Sequence, residues 1–414
     1  MAVFKPFKAV RPTKNLAKEV ASRPYDVLNS AEAKVEATGN PFSFLHVVKP
    51  EIDLPDSTDP YSEEVYIKGR ESYQKFLTDR VLFKDEKASF YIYRLTMNQR
   101  SQTGLVGCCF FEEYYSGVIK KHELTRSAKE EDRVKHVECL NANAEPVFFS
   151  YRGKQKINLL VEENIKKTPI YSFFAEDGVK HELWIVSDKQ NLEDIENEFV
   201  DVPSLYVADG HHRTAAAARI GQKRKESNTS HTGEEEYNFF LAVLFPEDQL
   251  KIFDYNRVVS DLNGLKYDQF LEKVKESFIV QQIDEQHARP SNLREFAMYM
   301  DNKWYGLIAK EGSWDSSDPV KDLDVTILSE KILNPILNIT DLRQDTRIDF
   351  VGGIRGLEEL KQRVDSGEME VAFALHPVSM EQLLNIADAG EIMPPKTTWF
   401  EPKLRSGLFI HDLE

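Results

Sequence analysis

The stretch Ser204–Ile220, SLYVADGHHRTAAAARI, obliges the chain to pass from a strand straight into a helix. Leu205 to Ala208 is a short apolar strand and Asp209-Gly210 makes the turn. His211, His212 and Arg213 follow, and Thr214 to Ile220, built on four alanines, is a helix. A glycine at such a junction lets the backbone approach a ligand closely, and the helix start offers unpaired N–H groups to an anion. Two imidazoles and a guanidinium at the same end add donors for phosphate oxygens. Asp209, at the carboxyl end of the strand, is placed to hold a metal ion or a substrate hydroxyl. A hydrogen-bonded histidine pair capping a helix is the plainer reading; the density of polar groups favours a nucleotide or phosphoryl site.

The 414 residues suffice for two or three domains, and 41% apolar with 29% charged residues is the balance of a globular protein. A net charge of −16, with no basic stripe, argues against a nucleic-acid partner, whose phosphates demand clustered Lys and Arg. Cys108, Cys109 and Cys139 are too few for a disulfide framework and lack metal-binding spacing; the first two sit in an apolar run and are expected as buried thiols. The N-terminal MAVFKPFKAVRP does not read as a signal peptide, and no run of about 18 apolar residues spans a bilayer. A cytoplasmic protein with no membrane partner is the expectation.

Residues 1 to about 100 are rich in proline and turns, with a helix expected over Ser62–Thr78 and strands over Ala88–Leu95 and Gly104–Phe111. A helix is expected over Leu124–Cys139 and strands over Pro146–Tyr151 and Glu182–Val186. After the Asp209 motif, Gln222–Glu236 reads as an exposed, mobile loop, and Asn238–Phe245 and Lys251–Val259 as strands. Further on, Asp268–Phe278, Asn292–Tyr299, Leu323–Leu337, Gly356–Ser366 and Ser379–Gly390 read as helices. Val371–Leu375 reads as a strand, and Trp304–Ala309 as a strand between domains. Strands alternating with helices make the fold α/β, or mixed α+β.

Two further clusters carry possible chemistry. His122-Glu123 stands just before a helix, where the glutamate is either a general base or a solvated residue favoured by the helix dipole. Pro395-Lys396-Thr397-Thr398 is either a phosphate grip or a proline-stiffened connector. Gly352-Gly353 and Gly356 do not follow dinucleotide-binding spacing, and there is no Walker A sequence.

Together these segments resemble the free serine kinases, enzymes on the ParB/sulfiredoxin-like fold. Those enzymes carry a strand followed by Asp-Gly-His-His-Arg, matched by Asp209 to Arg213, within which Gly210-His211-His212-Arg213 fits the Gly-x-x-Arg phosphate box of the superfamily. They carry Lys-Pro-His-Glu before a helix, here Lys120-Lys121-His122-Glu123, and Pro-Lys-Thr-Thr near the C-terminus, here Pro395 to Thr398. The kinase resemblance covers roughly residues 117–213 and 350–414. The sequence departs from it by about a hundred additional N-terminal residues and by a long insertion between Pro146 and Asp209. The whole chain also resembles a longer bacterial and archaeal family long labelled only a domain of unknown function, through Arg23-Pro24-Tyr25-Asp26, the segment Asn40–His46 and the Asp209 motif. Sulfiredoxin repair needs a cysteine where His211 stands, so that chemistry is not expected.

The resemblance implies a ParB/sulfiredoxin-like nucleotide-binding core at 104–250, an N-terminal α/β region at 1–103, and a C-terminal α/β region at 251–414 that closes the active site. It implies a kinase transferring a phosphoryl group from ATP or ADP, with Mg²⁺, to free L-serine. Glu123, Asp209 and His212 would be catalytic. Gly210, His211, His212, Arg213, Lys396, Thr397 and Thr398 would bind phosphates. His122 and Asp209 would bind substrate, and Asp209 could also hold the metal. The partners expected are L-serine and an adenine nucleotide, with a homodimer possible. The alternatives are a nucleotide-binding regulatory protein without turnover and a metal hydrolase using His122, Asp209, His211 and His212.

Overall fold

A computed structural model describes residues 1–414 and is a mixed α+β protein. Two compact units are present, one formed by Met1–Leu250 with Pro402–Glu414 and the other by Lys251–Glu401.

The first unit is built on a nine-stranded mixed sheet. Its strands are β1 (Phe4–Lys5), β2 (Phe90–Met97), β3 (Arg100–Phe110), β4 (Ile119–Lys120), β5 (Val147–Tyr151), β6 (Tyr171–Phe174), β7 (Lys180–Val186), β8 (Leu205–Asp209) and β9 (Phe239–Pro246). The order is β4-β8-β5-β9-β3-β2-β7-β6, with β1 on β3. The pairs β4·β8 and β5·β9 are parallel and the rest antiparallel. The inner strands are apolar on both faces, and all eight residues of β9 are buried, as a sheet covered on both sides requires. Helices α1 (Glu63–Thr78), α2 (Ser127–Leu140) and α3 (His211–Ser227) pack around it. Ala216 and Ala218 let α3 sit close to its neighbours, and Gly221 is obligatory there: a Cβ at that position would lie 2.5 Å from the Phe111 ring. The last thirteen residues return to this unit, where His411–Asp412 pairs with Ala142–Asn143 and Phe409 and Ile410 are buried.

The second unit holds a six-stranded antiparallel sheet of β10 (Tyr255–Val259), β11 (Phe278–Ile283), β12 (Glu295–Met300), β13 (Lys303–Ala309), β14 (Ile348–Gly352) and β15 (Val371–Leu375). The order is β11-β13-β12-β15-β10-β14. Helix α4 (Gly356–Asp365) covers it through Leu360, which packs with Val258, Val351 and Ala372.

Several elements depart from the expected pattern. The helix expected over Asn292–Tyr299 is the strand β12. Asp301 and Asn302, both at positive φ, form the two-residue turn that folds it back on β13, and this hairpin outweighs the apparent helical spacing. Trp304–Ala309 is accordingly an inner strand of the second sheet, not a connector between domains. The Gln222–Glu236 segment is not a mobile loop throughout: α3 continues to Ser227, and the Glu235 carboxylate gathers Thr232 N, Gly233 N and Asn238 Nδ2 at 2.6–2.9 Å. The helix expected over Leu323–Leu337 is α-helical only over Asp324–Leu328 and then passes into a π turn at Ser329–Leu333. The strand expected over Lys251–Val259 is broken, Ile252–Phe253 pairing with Trp399–Phe400 before β10 begins.

Candidate functional site

Parallel pairing explains why two distant motifs meet. Leu205 and Tyr206 of β8 lie beside Ile119 and Lys120 of β4, so the two chains leave the sheet side by side at their carboxyl ends, the end at which open α/β sheets bind ligands. His122-Glu123 follows β4, and Asp209-Gly210 follows the apolar part of β8. The His122 ring meets the His211 ring edge-on, with centroids 4.5 Å apart.

Gly210 caps α3 at φ +92°, a conformation that costs a residue with a Cβ but not glycine. Its carbonyl accepts from Thr214 N at 2.9 Å, so the N–H groups of His211, His212 and Arg213 stand outside the ladder of this 17-residue helix. Asp209 Oδ1 accepts from Gly210 N at 2.9 Å, and Oδ2 pairs with Lys403 Nζ at 3.2 Å. Burial opposes ionisation of Asp209, but Lys403, Arg213 and His211 overcome it and hold the carboxyl well below the usual carboxylate range.

The histidines are of a different character. Burial pushes His122 down to about 4 despite nearby Asp209 and a hydrogen bond to the Val207 backbone. Burial and the neighbouring His122 push His211 well below its ordinary value, and its Nε2 has no hydrogen-bond partner. Both are neutral imidazoles at pH 7. His212 Nε2 accepts from Arg126 N at 3.0 Å, which fixes that nitrogen as unprotonated and ties the segment after Glu123 to the start of α3. Glu123 itself is half-buried in the bend between β4 and α2.

Arg213 turns inward. Its Nη1 donates to the Pro146 carbonyl at 2.7 Å and its Nη2 lies 3.7 Å from Asp26. Beyond it, Arg133 pairs with Asp132 at 2.8 Å and Glu145 at 3.7 Å and lies 3.8 Å over the Tyr25 ring. The Arg-Pro-Tyr-Asp segment thus enters the same charged network. A cavity of about 240 Å³ opens beside it, lined among others by Tyr25, Asp26, Lys49, Tyr66, Asp132 and Arg133.

The structure therefore brings together His122, Asp209, Gly210, His211 and His212, and adds Lys403, which no local pattern marks because it stands 194 residues from Asp209. Arg133 was likewise hidden in a polar helix. Lys396, Thr397 and Thr398 belong to the second unit. There Lys396 is exposed at φ +59°, and buried Thr397 donates from Oγ1 to the Pro394 carbonyl at 2.6 Å. No group of three or more His, Cys, Asp or Glu is placed to hold a metal ion, and no helix is long and apolar enough to cross a membrane.

Comparison with known proteins adds the following. Among solved structures, the chain is similar to a free serine kinase mutant in complex with AMP, at 14% identity over 69% of this chain and 88% of that one, with a TM-score of 0.35. It is similar to a conserved hypothetical protein from Pyrococcus furiosus at 16% identity, over 70% and 90% of the two chains, with a TM-score of 0.34. It is also similar to SbnI with C-terminal truncation from Staphylococcus aureus at 12% identity, over 73% and 85%, with a TM-score of 0.37. No curated protein matches the sequence significantly. The family model described as "Protein of unknown function (DUF1015)" matches residues 4–326, and the chain belongs to that family.

Proposed function

We propose that the protein is a nucleotide-dependent phosphotransferase whose site is built on the Asp209 motif of the first unit. The observation that carries the reading is the meeting of His122, in the segment after β4, with His211 at the start of α3, at the carboxyl ends of the parallel strands β4 and β8. That convergence joins a carboxylate, a helix start with open N–H groups and two neutral imidazoles, and the same two motifs carry the resemblance to the free serine kinases. Phosphoryl transfer asks a protein mainly for positioning and charge neutralisation; this set supplies positioning and the positive end of a helix dipole, and the rest of the neutralisation would come from a metal ion bound with the nucleotide.

In this reading the N–H groups at the start of α3, with the His211 and His212 side chains, bind the phosphates of ATP or ADP. Gly210 leaves room for their approach. Arg213 contributes its charge from behind the helix start. Within the second unit by itself, Lys396, Thr397 and Thr398 are assigned to phosphate. Glu123 takes the proton from the acceptor hydroxyl; the oxygen then bonds to the terminal phosphorus as the bond to the leaving phosphate breaks. Asp209, a carboxylate already paired through Oδ2 with Lys403, would be the one protein ligand to a Mg²⁺ ion that enters with the nucleotide, the phosphates supplying the rest. Bound there, the metal would neutralise phosphate charge. The acceptor is a small hydroxyl compound, with free L-serine the first candidate.

The test is incubation of the full chain with ATP or ADP, Mg²⁺ and a panel of small hydroxyl compounds including L-serine, with the phosphorylated product read by mass spectrometry. Glu123→Gln should lower turnover by roughly 10²–10⁴-fold and leave nucleotide affinity nearly unchanged. Failure of the wild type to bind either nucleotide in calorimetry sinks the proposal. Binding without turnover on any acceptor would instead make the protein a nucleotide sensor.

A further inference from the structure

Arg257 is a buried cation without a counter-ion. It stands on β10, an inner strand of the second sheet, and is fully buried. Its Nη1 donates to the carbonyl of Tyr255 two residues earlier, its Nη2 donates to the Lys396 carbonyl at 2.9 Å, and its Nε has no hydrogen-bond partner. The Phe350 ring lies 5.2 Å away. No carboxylate pairs with it, although the chain carries 69 acidic residues against 53 basic ones. Other buried arginines are treated differently: Arg133 pairs with Asp132, Arg213 with Asp26 and Arg405 with Asp177. An arginine stays charged in proteins, and a buried charge left uncompensated is costly, so its retention points to an anion that arrives from outside.

The loop that Arg257 holds is where such an anion would meet the protein. Lys396 has positive φ, and its backbone is pinned in that state by the Arg257 bond to its carbonyl and by the Thr397 bond to Pro394. The Lys396 ammonium lies 5.8 Å over the Tyr255 ring, and none of the ion pairs of the structure involves it. Two cations thus touch Tyr255, exposed Lys396 at the ring and buried Arg257 at the backbone carbonyl, and neither has an acidic partner.

We propose that Arg257 is the positioning residue of the loop Pro394–Thr398 in the second unit, the loop whose Lys396 the reading above assigns to phosphate. Arg257 shapes the loop through the Lys396 carbonyl and supplies the unbalanced positive charge that an incoming phosphate neutralises. The inference rests on the assignment of Lys396–Thr398 to phosphate and adds the residue that makes the loop competent.

The test titrates the full chain with inorganic pyrophosphate and, separately, with ADP, by calorimetry at low and moderate salt. Arg257→Lys keeps the charge but cannot reach both carbonyls at once, and should weaken pyrophosphate binding about three- to tenfold. Arg257→Met should weaken it more than about tenfold and flatten the salt dependence. Lys396→Ala should have a similar effect, and combining it with Arg257→Met should add little, because both act through one loop. Melting curves identify a variant that has not folded; the exposed Lys396→Ala and the charge-retaining Arg257→Lys then decide. Pyrophosphate affinity unchanged in these folded variants overturns the inference, and the phosphotransfer reading survives if ADP still binds. Arg257-dependent pyrophosphate binding without ADP binding would overturn the phosphotransfer reading and leave the loop site standing.

Discussion

Asp209 and Lys403 form an ion pair at 3.2 Å across 194 residues of sequence, joining the end of an inner strand to the segment with which the chain re-enters the first unit. Both side chains are largely buried, at 25% and 15% exposure, so the pair is only partly screened. Lys403→Met should destabilise the protein by about 1–3 kcal/mol at pH 7, because it leaves a carboxylate in a poorly solvated site. The pair's contribution is present above the ordinary aspartate pKa and is lost as the pH falls toward the depressed folded value. Urea titrations at pH 7 and pH 3.5 check this: the gap between wild type and variant should narrow at the lower pH.

Acid should weaken the fold through its buried histidines. Burial holds both His122 and His136 down to about 4, so each is neutral in the native state and takes up a proton more readily when unfolded. Stability from these groups is complete above about 6.5, the ordinary histidine value, and is lost as the pH falls from there toward 4. The urea midpoint should drop between pH 7 and pH 5. His136→Gln should reduce that drop, and an unchanged pH slope in this variant would count against the assignment.

Glu113 should act in the opposite direction. Burial raises its carboxyl to about 7 even though Oε1 accepts from Val3 N at 2.6 Å, and Oε2 has no partner. The native state therefore holds this proton more tightly than the unfolded chain, and stability from the group is lost as the pH rises from about 4.5 to 7. Glu113→Gln should be more stable than wild type at pH 8 and lose that advantage by pH 4.5. Paired thermal melts at the two pH values read this directly.

Two glycines on or beside α3 are expected to fail for different reasons. Gly210→Ala places a Cβ at φ +92° and 3.1 Å from Arg213 Nε, which should cost roughly 1–2 kcal/mol and abolish nucleotide binding by displacing the helix start. Gly221→Ala meets the Phe111 ring at 2.5 Å and should cost about 1–3 kcal/mol by overpacking, with nucleotide affinity retained in the folded fraction. Calorimetry and urea titration together separate the two outcomes.

Removal of Pro402–Glu414 should unfold the first unit, not merely silence a site. The segment buries Leu404, Leu408, Phe409 and Ile410, pairs through His411 and Asp412 with Ala142–Asn143, and carries Lys403. A truncated chain that melted cooperatively near the wild-type temperature would contradict this.

The sequence by itself determined the local devices: the apolar strand before Asp209, the glycine turn, the alanine-rich helix start and the two histidines within it. Each depends on neighbours a few residues apart, where propensity and hydrophobic period act directly. The same short-range logic failed at Glu295–Met300, because the deciding contacts were cross-strand pairs and a turn with two positive φ angles. Only the tertiary structure decided that His122 would meet His211, since that follows from the parallel pairing of Ile119–Lys120 with Leu205–Tyr206. It also decided that Lys403 would neutralise Asp209, and that Arg213 would face Pro146 and Asp26. These partners lie 67 to 194 residues apart, and closing such distances is favoured by burial of the whole sheet, a property that no local segment encodes.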